Sequence, residues 1–481
     1  MAALGTAHHR GHHGRRLLPQ QPHRGHDQTV VRAPGPEPGG HRPRLTRPVS
    51  EAPSAPSAAA TARWPGQAAR VVPIAALVGS AGAFFLWSLD AVTRLRWDHP
   101  WLPWFLPAAG IAIVAAYRFV GQGCERGTNL LLEAVRDPSK EVPPRLAPLI
   151  LLATLVTHLF GGSAGREGTA VQMGGGITAW LSDRLRTARE DRSVLMQAGM
   201  AAGFGAVFGT PIAAAVFALE VDTMGRIRWA GTLPCLAAAF LADFVCRLWG
   251  APHVHYAIGL AADRSIALSP AWLFQGLLVG LVAGPVARGF VETTHVFSAA
   301  FRRLRSPWIA SAIGGLMVVA LSGALGTTAY QGIGVTHPDP AAPSLAAMFH
   351  AGGVTDWGWI WKLLFTAITL ASGFKGGEVT PLFFIGAALG HATSRLCGLP
   401  VELGAGLGFV AVFAGASNTP IACALMGCEL FGWKWLPCLA LACGTAYLAS
   451  GHAGIYSSQH VARPKWPWAR SRAGRTLGEL R

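Results

Sequence analysis

The chain has 481 residues, 51% of them apolar and 13% charged, and its apolar runs are too long and too many for one soluble core. This excludes an ordinary soluble globular domain, whose helices need polar faces. It predicts an all-α polytopic membrane protein, because a run of about 20 apolar residues crosses a bilayer. The formal charge of +16 sits mostly at the ends: residues 1–70 hold ten arginines against Asp27, Glu37 and Glu51, and residues 461–481 hold five arginines and Lys465 against Glu479. By the positive-inside rule both tails are expected in the cytoplasm, where they can touch anionic lipid. Nothing beside these charges favours nucleic acid as a partner.

In chain order, residues 1–70 are rich in Pro, Arg, His and Gly, a composition that cannot bury a core and predicts disorder. The seven histidines there, His8, His9, His12 and His13 among them, are read as part of a solvated tail. No secretory signal pattern opens the chain. A first membrane repeat is expected over residues 71–250, with apolar helices near 71–92, 101–116 and 229–249. Between them GQGCERGTNLLLEAV, residues 121–135, predicts a short helix starting near Thr128, and residues 145–160 predict a further apolar helix. That helix leads into GGSAGREGTAVQMGGG, residues 161–176. Gly203, Gly205 and Gly209 suit close helix packing, and Thr210 is the expected cap of a helix starting at Pro211.

A connecting loop is expected over residues 251–269 and a second repeat over 270–450, with apolar runs at 270–286, 308–326 and 435–449. Residues 327–356 are more polar and are expected outside the hydrocarbon. Residues 451–481 are expected to form a terminal helix carrying Tyr456 and a basic tail. The eight cysteines form no CxxC pair; Cys235, Cys246, Cys423, Cys428, Cys438 and Cys443 fall in or beside apolar helices and read as buried free thiols rather than disulfides or metal ligands.

The halves echo each other. At an offset of 211 Glu167-Gly168-Thr169 falls on Glu378-Val379-Thr380, and Gly162, Gly165 and Gly175 fall on Gly373, Gly376 and Gly386. At an offset of 209 residues 210–213 (TPIA) fall on 419–422 (TPIA), and Glu220 falls on Glu429. Matched broken helices in two membrane halves mark a repeat-built transporter whose site lies where the halves meet.

Helix starts near Thr128, Gly168 and Val379, if convergent, aim backbone N–H groups and positive dipole ends at an anion. Thr128, Thr169 and Thr380 add hydroxyls, and an anion held without a lysine is free to leave. An ionisable residue at membrane depth marks an ion or proton pathway. The Glu167 carboxylate, itself an anion, can occupy the site when ionised and swing away when protonated, which links anion and proton movement. Adjacent residues at a helix start do not face each other, so no ion pair between Arg166 and Glu167 is expected. Glu378 is expected at the point equivalent to Glu167, Glu220 and Glu429 at membrane interfaces, and Lys375 as a surface charge or an attractor of anions.

These motifs resemble the CLC family of chloride channels and anion/proton antiporters over roughly residues 71–459. Gly165-Arg166-Glu167-Gly168-Thr169 resembles the family's G-(K/R)-E-G-P sequence with its gating glutamate. Gly454-Ile455-Tyr456 sits where the family has a tyrosine facing the central anion. Thr169 in place of proline, and Gly376-Gly377-Glu378-Val379-Thr380-Pro381 in place of G-x-F-x-P, resemble the bacterial fluoride/proton antiporter branch. The resemblance implies two inverted repeats with broken helices at a central anion site and a homodimer. It implies Glu167 as the gate, and Glu378 and Thr380 in the fluoride/proton machinery, with Asn129, Gly165, Arg166, Gly168, Gly377, Val379 and Tyr456 beside the anion and aromatic edges from Phe383 or Phe384. Val221 stands where many chloride antiporters carry an inner acidic residue, so protons need another route.

The sequence therefore reads as a bacterial inner-membrane, multi-pass antiporter that exports fluoride in exchange for protons. It reads as no enzyme, and as needing no cofactor or metal. The alternative is a chloride channel or chloride/proton antiporter, favoured by the Thr128 hydroxyl where the fluoride branch usually has Met or Asn. A remote reading from another class is an intramembrane hydrolase on Gly161-Gly162-Ser163-Ala164-Gly165 with His158, but that motif needs a strand before the serine and a long apolar helix precedes it.

Overall fold

The computed structural model describes residues 64–254, 256–259, 269–350, 352 and 356–481. Most of the basic N-terminal segment, with its histidines, lies outside the described residues, as does part of the connecting loop.

Fifteen α-helices carry the described chain. The first half holds α1 (Trp64–Asp98), α2 (Leu106–Phe119), α3 (Thr128–Arg136), α4 (Leu146–Leu159), α5 (Glu167–Arg184), α6 (Arg189–Phe208), α7 (Pro211–Glu220) and α8 (Thr232–Leu248). The second holds α9 (Pro270–Arg303), α10 (Pro307–Leu325), α11 (Gly358–Ala371), α12 (Val379–Leu396), α13 (Val401–Ser417), α14 (Pro420–Phe431) and α15 (Leu436–Ala449). Five helical stretches are long and apolar enough to cross a membrane: Gly66–Asp98, Leu102–Phe119, Trp229–Leu248, Pro270–Arg303 and Pro307–Leu325. Others, including α4, α7, α11, α13 and α14, are apolar but shorter. Helix ends within a bilayer need partners from protein, since lipid offers none.

The two halves pack alike. α1 lies on α6 and α8 as α9 lies on α13 and α15, and α5 crosses α6 as α12 crosses α13. Both crossings rest on glycine: a Cβ on Gly174 would lie 2.1 Å from the Gly199 carbonyl oxygen, and one on Gly386 would lie 2.1 Å from that of Gly408. Backbones this close admit no side chain, the small-residue packing of membrane helices. Gly203 belongs to the α5–α6 contact, whereas Gly209 ends α6 in the left-handed region, φ 78°. Its counterpart Asn418 ends α13 the same way, φ 60°, using the one non-glycine type that most readily tolerates that conformation.

Glu220 and Glu429 each reach a helix of the other repeat. The Glu429 carboxylate accepts from Ile212 N at 3.0 Å and Ala213 N at 2.7 Å, at the start of α7. Glu220 accepts from Ile421 N at 3.2 Å and Ala422 N at 2.9 Å, at the start of α14. Each repeat thus caps the other's proline-initiated helix, with the negative charge at the positive dipole end. Thr210 makes no cap hydrogen bond and its buried hydroxyl has no partner; the glutamate from the other repeat takes that role.

Two ends differ from expectation. Helix α1 is already formed at Trp64, before Val71, and Gln67 and Arg70 in this added stretch both bond Asp191, each at 3.0 Å. Residues 451–481 contain no α-helix. Glycine and proline interrupt them, and β2 (His460–Val461) pairs in parallel with β1 (Thr223–Met224). This segment is docked: Leu477 is buried, and Lys465 Nζ donates to the Tyr447 carbonyl at 2.6 Å. Cys235, Cys246, Cys423, Cys428, Cys438 and Cys443 are buried, and none of them is in a disulfide.

Candidate functional site

The repeats meet at their glycine loops. Gly165 and Gly377 form an antiparallel bridge, with Gly165 N to Gly377 O at 2.6 Å and Gly377 N to Gly165 O at 2.8 Å. Helix α5 begins two residues after the first glycine, at Glu167, and α12 two residues after the second, at Val379. The structural register is therefore 212, not 211, with Gly174 matching Gly386. Glu378 is the counterpart of Arg166, and Val379 that of Glu167. The apparent match of the two glutamates is a coincidence of sequence spacing, one residue out of step with the backbone.

Glu167 is fully buried at the first position of α5. The Thr380 hydroxyl, from the first turn of α12, donates to its Oε2. The same hydroxyl accepts from the Arg166 backbone N–H at 3.2 Å. Arg166 Nε donates to Glu167 Oε1 at 3.4 Å. The ion pair not expected from helix spacing forms at the helix start, where Arg166 is the N-cap. Gly168 leaves no room for a side chain: its Cβ would lie 2.9 Å from Gly377 Cα. Thr169 turns away, its hydroxyl 2.8 Å from that of Thr154 on α4.

The third helix start packs on the second turn of α5. Gly127, the N-cap of α3, lies against Gln172 of α5, and Thr128 is the first residue of α3. Asn129 Oδ1 accepts from Ser458 N at 2.9 Å, which ties α3 to the segment bearing Tyr456. Gln459 closes the assembly, donating to the carbonyls of Val221 at 2.8 Å and Ser417 at 3.0 Å, one at the end of each repeat's paired helices. Tyr456 is buried edge-on to Phe217, with ring centroids 6.4 Å apart. Glu378 is the N-cap of α12 but makes no side-chain cap bond. Lys375 is no surface charge; its Nζ lies 4.4 Å over the Tyr117 ring. Phe383 stacks on Phe409 at 4.1 Å, and Phe384 lies beside Lys362, 5.4 Å from Nζ.

The serine of the GxSxG match is bonded to the second repeat. Ser163 Oγ pairs with Thr366 Oγ1 at 2.9 Å, and its N–H donates to Thr369 Oγ1 at 3.1 Å. Both ring nitrogens of His158 contact carbonyls, of Thr154 at 2.8 Å and Ala164 at 3.0 Å, so no Ser–His pair forms. Thr366 and Thr369, which hold this loop, and Lys362 on the same helix escaped the sequence reading; a lysine inside the apolar run GWIWKLLFTAITLA is the signal that could have found them.

The family described as voltage gated chloride channel matches residues 111–451. A chloride/fluoride channel protein of Pseudomonas syringae pv. tomato is 45% identical over 401 residues, 82% of this chain and 86% of that protein. A voltage-gated ClC-type chloride channel, ClcB, of Salmonella typhimurium is 30% identical over 65% of this chain and 75% of that one. Among solved structures, a CLC-type fluoride/proton antiporter superposes with TM-score 0.78 at 35% identity, covering 83% of this chain and 98% of the other. A matched family over most of the chain, the same architecture, and a buried glutamate at the junction of two repeats lead to one assignment: the chain belongs to the voltage-gated chloride channel, or CLC, family of membrane-spanning transport proteins.

Proposed function

We propose that the protein is an anion/proton antiporter that exports fluoride in exchange for protons, a transporter and not an enzyme, working as a homodimer in the bacterial inner membrane with both tails cytoplasmic. One observation carries the reading. The fully buried Glu167 is the first residue of α5, its carboxylate held by the Thr380 hydroxyl of the other repeat. Ionised, the carboxylate takes the position of an anion at the helix start, where N–H groups and the dipole favour negative charge. An arriving fluoride competes for the Thr380 hydroxyl and these N–H groups. Proton uptake removes the charge from Glu167, weakens its hold and frees the path. Anion and proton then move in opposite directions through one side chain. Thr128, Asn129, Gly165, Arg166, Gly168, Gly377, Val379 and Tyr456 surround this route, and Glu378 is a second proton- or anion-coupling carboxylate. Thr169, bonded to Thr154, shapes the start of α5 and not the route itself. The likeness to a fluoride/proton antiporter at 35% identity supports fluoride over chloride.

The test is efflux from liposomes containing the purified protein, with fluoride, chloride and external pH recorded together. Fluoride efflux with proton uptake and little chloride movement is the expected result. Comparable chloride efflux would move the protein to the chloride-type transporters.

A further inference from the structure

Two cations are buried beside the gate loop, and no carboxylate among the described residues pairs with either. Lys362, in the middle of α11, is fully buried; its Nζ donates to the carbonyls of Tyr330 at 3.1 Å and Gly332 at 2.9 Å. Arg96, in the last turn of α1, is 7% exposed, and its Nη1 is buried with no acceptor. Both meet the same loop: a Cβ on Gly332 would lie 2.1 Å from Arg96 Nη1, and one on Gly334 would lie 3.0 Å from Lys362 Nζ. Gly332 itself touches both, its carbonyl 2.9 Å from Lys362 Nζ and its α-carbon side against the Arg96 guanidinium, so two like charges meet at one residue.

Such an arrangement is unfavourable by itself. A buried charge is stable when paired and hydrogen-bonded. Carbonyl oxygens solvate Lys362 in part, but a guanidinium with five N–H donors is left with a nitrogen unserved. A small anion between the two side chains would satisfy the donors and cancel the repulsion at once.

The place also fits. Lys362, Thr366 and Thr369 follow helical spacing along one face of α11, and Thr366 and Thr369 hold Ser163 of the loop that leads to Glu167. Phe384, whose ring is 5.4 Å from Lys362 Nζ, lies one turn beyond Thr380. The cation pair thus adjoins the gate from behind its loop, outside the helix starts of the central site.

We propose that Arg96 and Lys362 form a second binding station for a small monovalent anion, beside the gate loop, where the transported ion is held before or after it passes Glu167. This rests on the anion/proton reading and extends it with a site of side-chain cations. The test is calorimetric titration of sodium fluoride, and separately sodium chloride, into the purified full-length protein and its Lys362→Met, Arg96→Gln and Lys362→Arg variants. The expected result is two fluoride sites in the wild type and one site weakened at least about tenfold in Lys362→Met and Arg96→Gln, the loss of a charge-assisted bond. Lys362→Arg keeps both sites. In liposomes, Lys362→Met raises the fluoride KM while the ratio of protons to anions stays as in the wild type. One fluoride site in the wild type overturns the proposal. So does wild-type binding in both charge-removing variants, or a Lys362→Met defect that Lys362→Arg shares, which would mark a structural lysine. Chloride binding equal to fluoride keeps the station and makes it unselective. Binding is read without transport, so a protein with two stations and no fluoride/proton exchange fails the functional reading alone.

Discussion

Thr380→Val replaces a hydroxyl by a methyl group of similar shape at a side chain that reaches across the repeats to touch Glu167. Two bonds are lost. The bond to the carboxylate is charge-assisted, worth about 1.5–3 kcal/mol, and exists only while Glu167 occupies its site. Since 1.4 kcal/mol is tenfold in an equilibrium, its loss shifts the balance away from the occupied gate by about 10- to 100-fold. The second bond, from Arg166 N at 3.2 Å, does not depend on the gate. Its loss leaves a buried donor unpaired at a cost of about 1–3 kcal/mol and lowers thermal stability. The expected phenotype in liposomes is faster fluoride efflux carrying fewer protons per anion, with a reduced melting temperature in detergent. Thr380→Ser, which keeps the hydroxyl, restores the coupling. A Thr380→Val protein with wild-type rate and stoichiometry would refute the argument, because Glu167 would then be held by something other than this contact.

The remaining predictions use the same assays. Glu167→Gln keeps an oxygen for Thr380 but cannot take up a proton, so fluoride flux continues without proton movement; intact coupling in that variant removes Glu167 from the gate. Glu378→Ala reduces fluoride/proton exchange with little change in melting temperature, since the Glu378 side chain makes no cap bond to α12; wild-type exchange would leave it without a transport role. Glu429→Gln gives up one of two carboxylate bonds to the start of α7, lowering stability by about 1–3 kcal/mol while fluoride KM is unchanged. An unshifted melting curve would show that the reciprocal caps do not stabilise the repeat junction.

Much of the site was legible because its signals are local. The GREGT stretch announces a helix start after flexible glycines, and α5 begins at Glu167 as that pattern requires. The echo between residues 165–169 and 376–380 announces that the repeats meet there, and Gly165 bonds Gly377. What the echo misstates is the register. Matching letters align Glu167 with Glu378, but hydrogen bonds and helix starts align it with Val379. Letters carry no information on a one-residue difference in the connecting loops, and only the backbone pairing resolves it. Arg166 likewise reads as a poor partner for Glu167 under helical spacing, yet the pair forms.

By itself the sequence determined the membrane architecture, since apolar runs of bilayer length and their breaks at Gly and Pro depend on neighbours within one helix. It also determined the doubling of the chain and the type of residue at the junction. The tertiary structure alone decided which groups touch across hundreds of residues: Thr380 on Glu167, Glu429 on α7 and Glu220 on α14, Gln459 between the repeats, and Arg96 and Lys362 each on Gly332. It also turned an expected terminal helix into a docked strand. The reason is physical. A helix is selected by interactions three or four residues apart, whereas a buried polar group is satisfied by whichever partner the packing brings within hydrogen-bond reach.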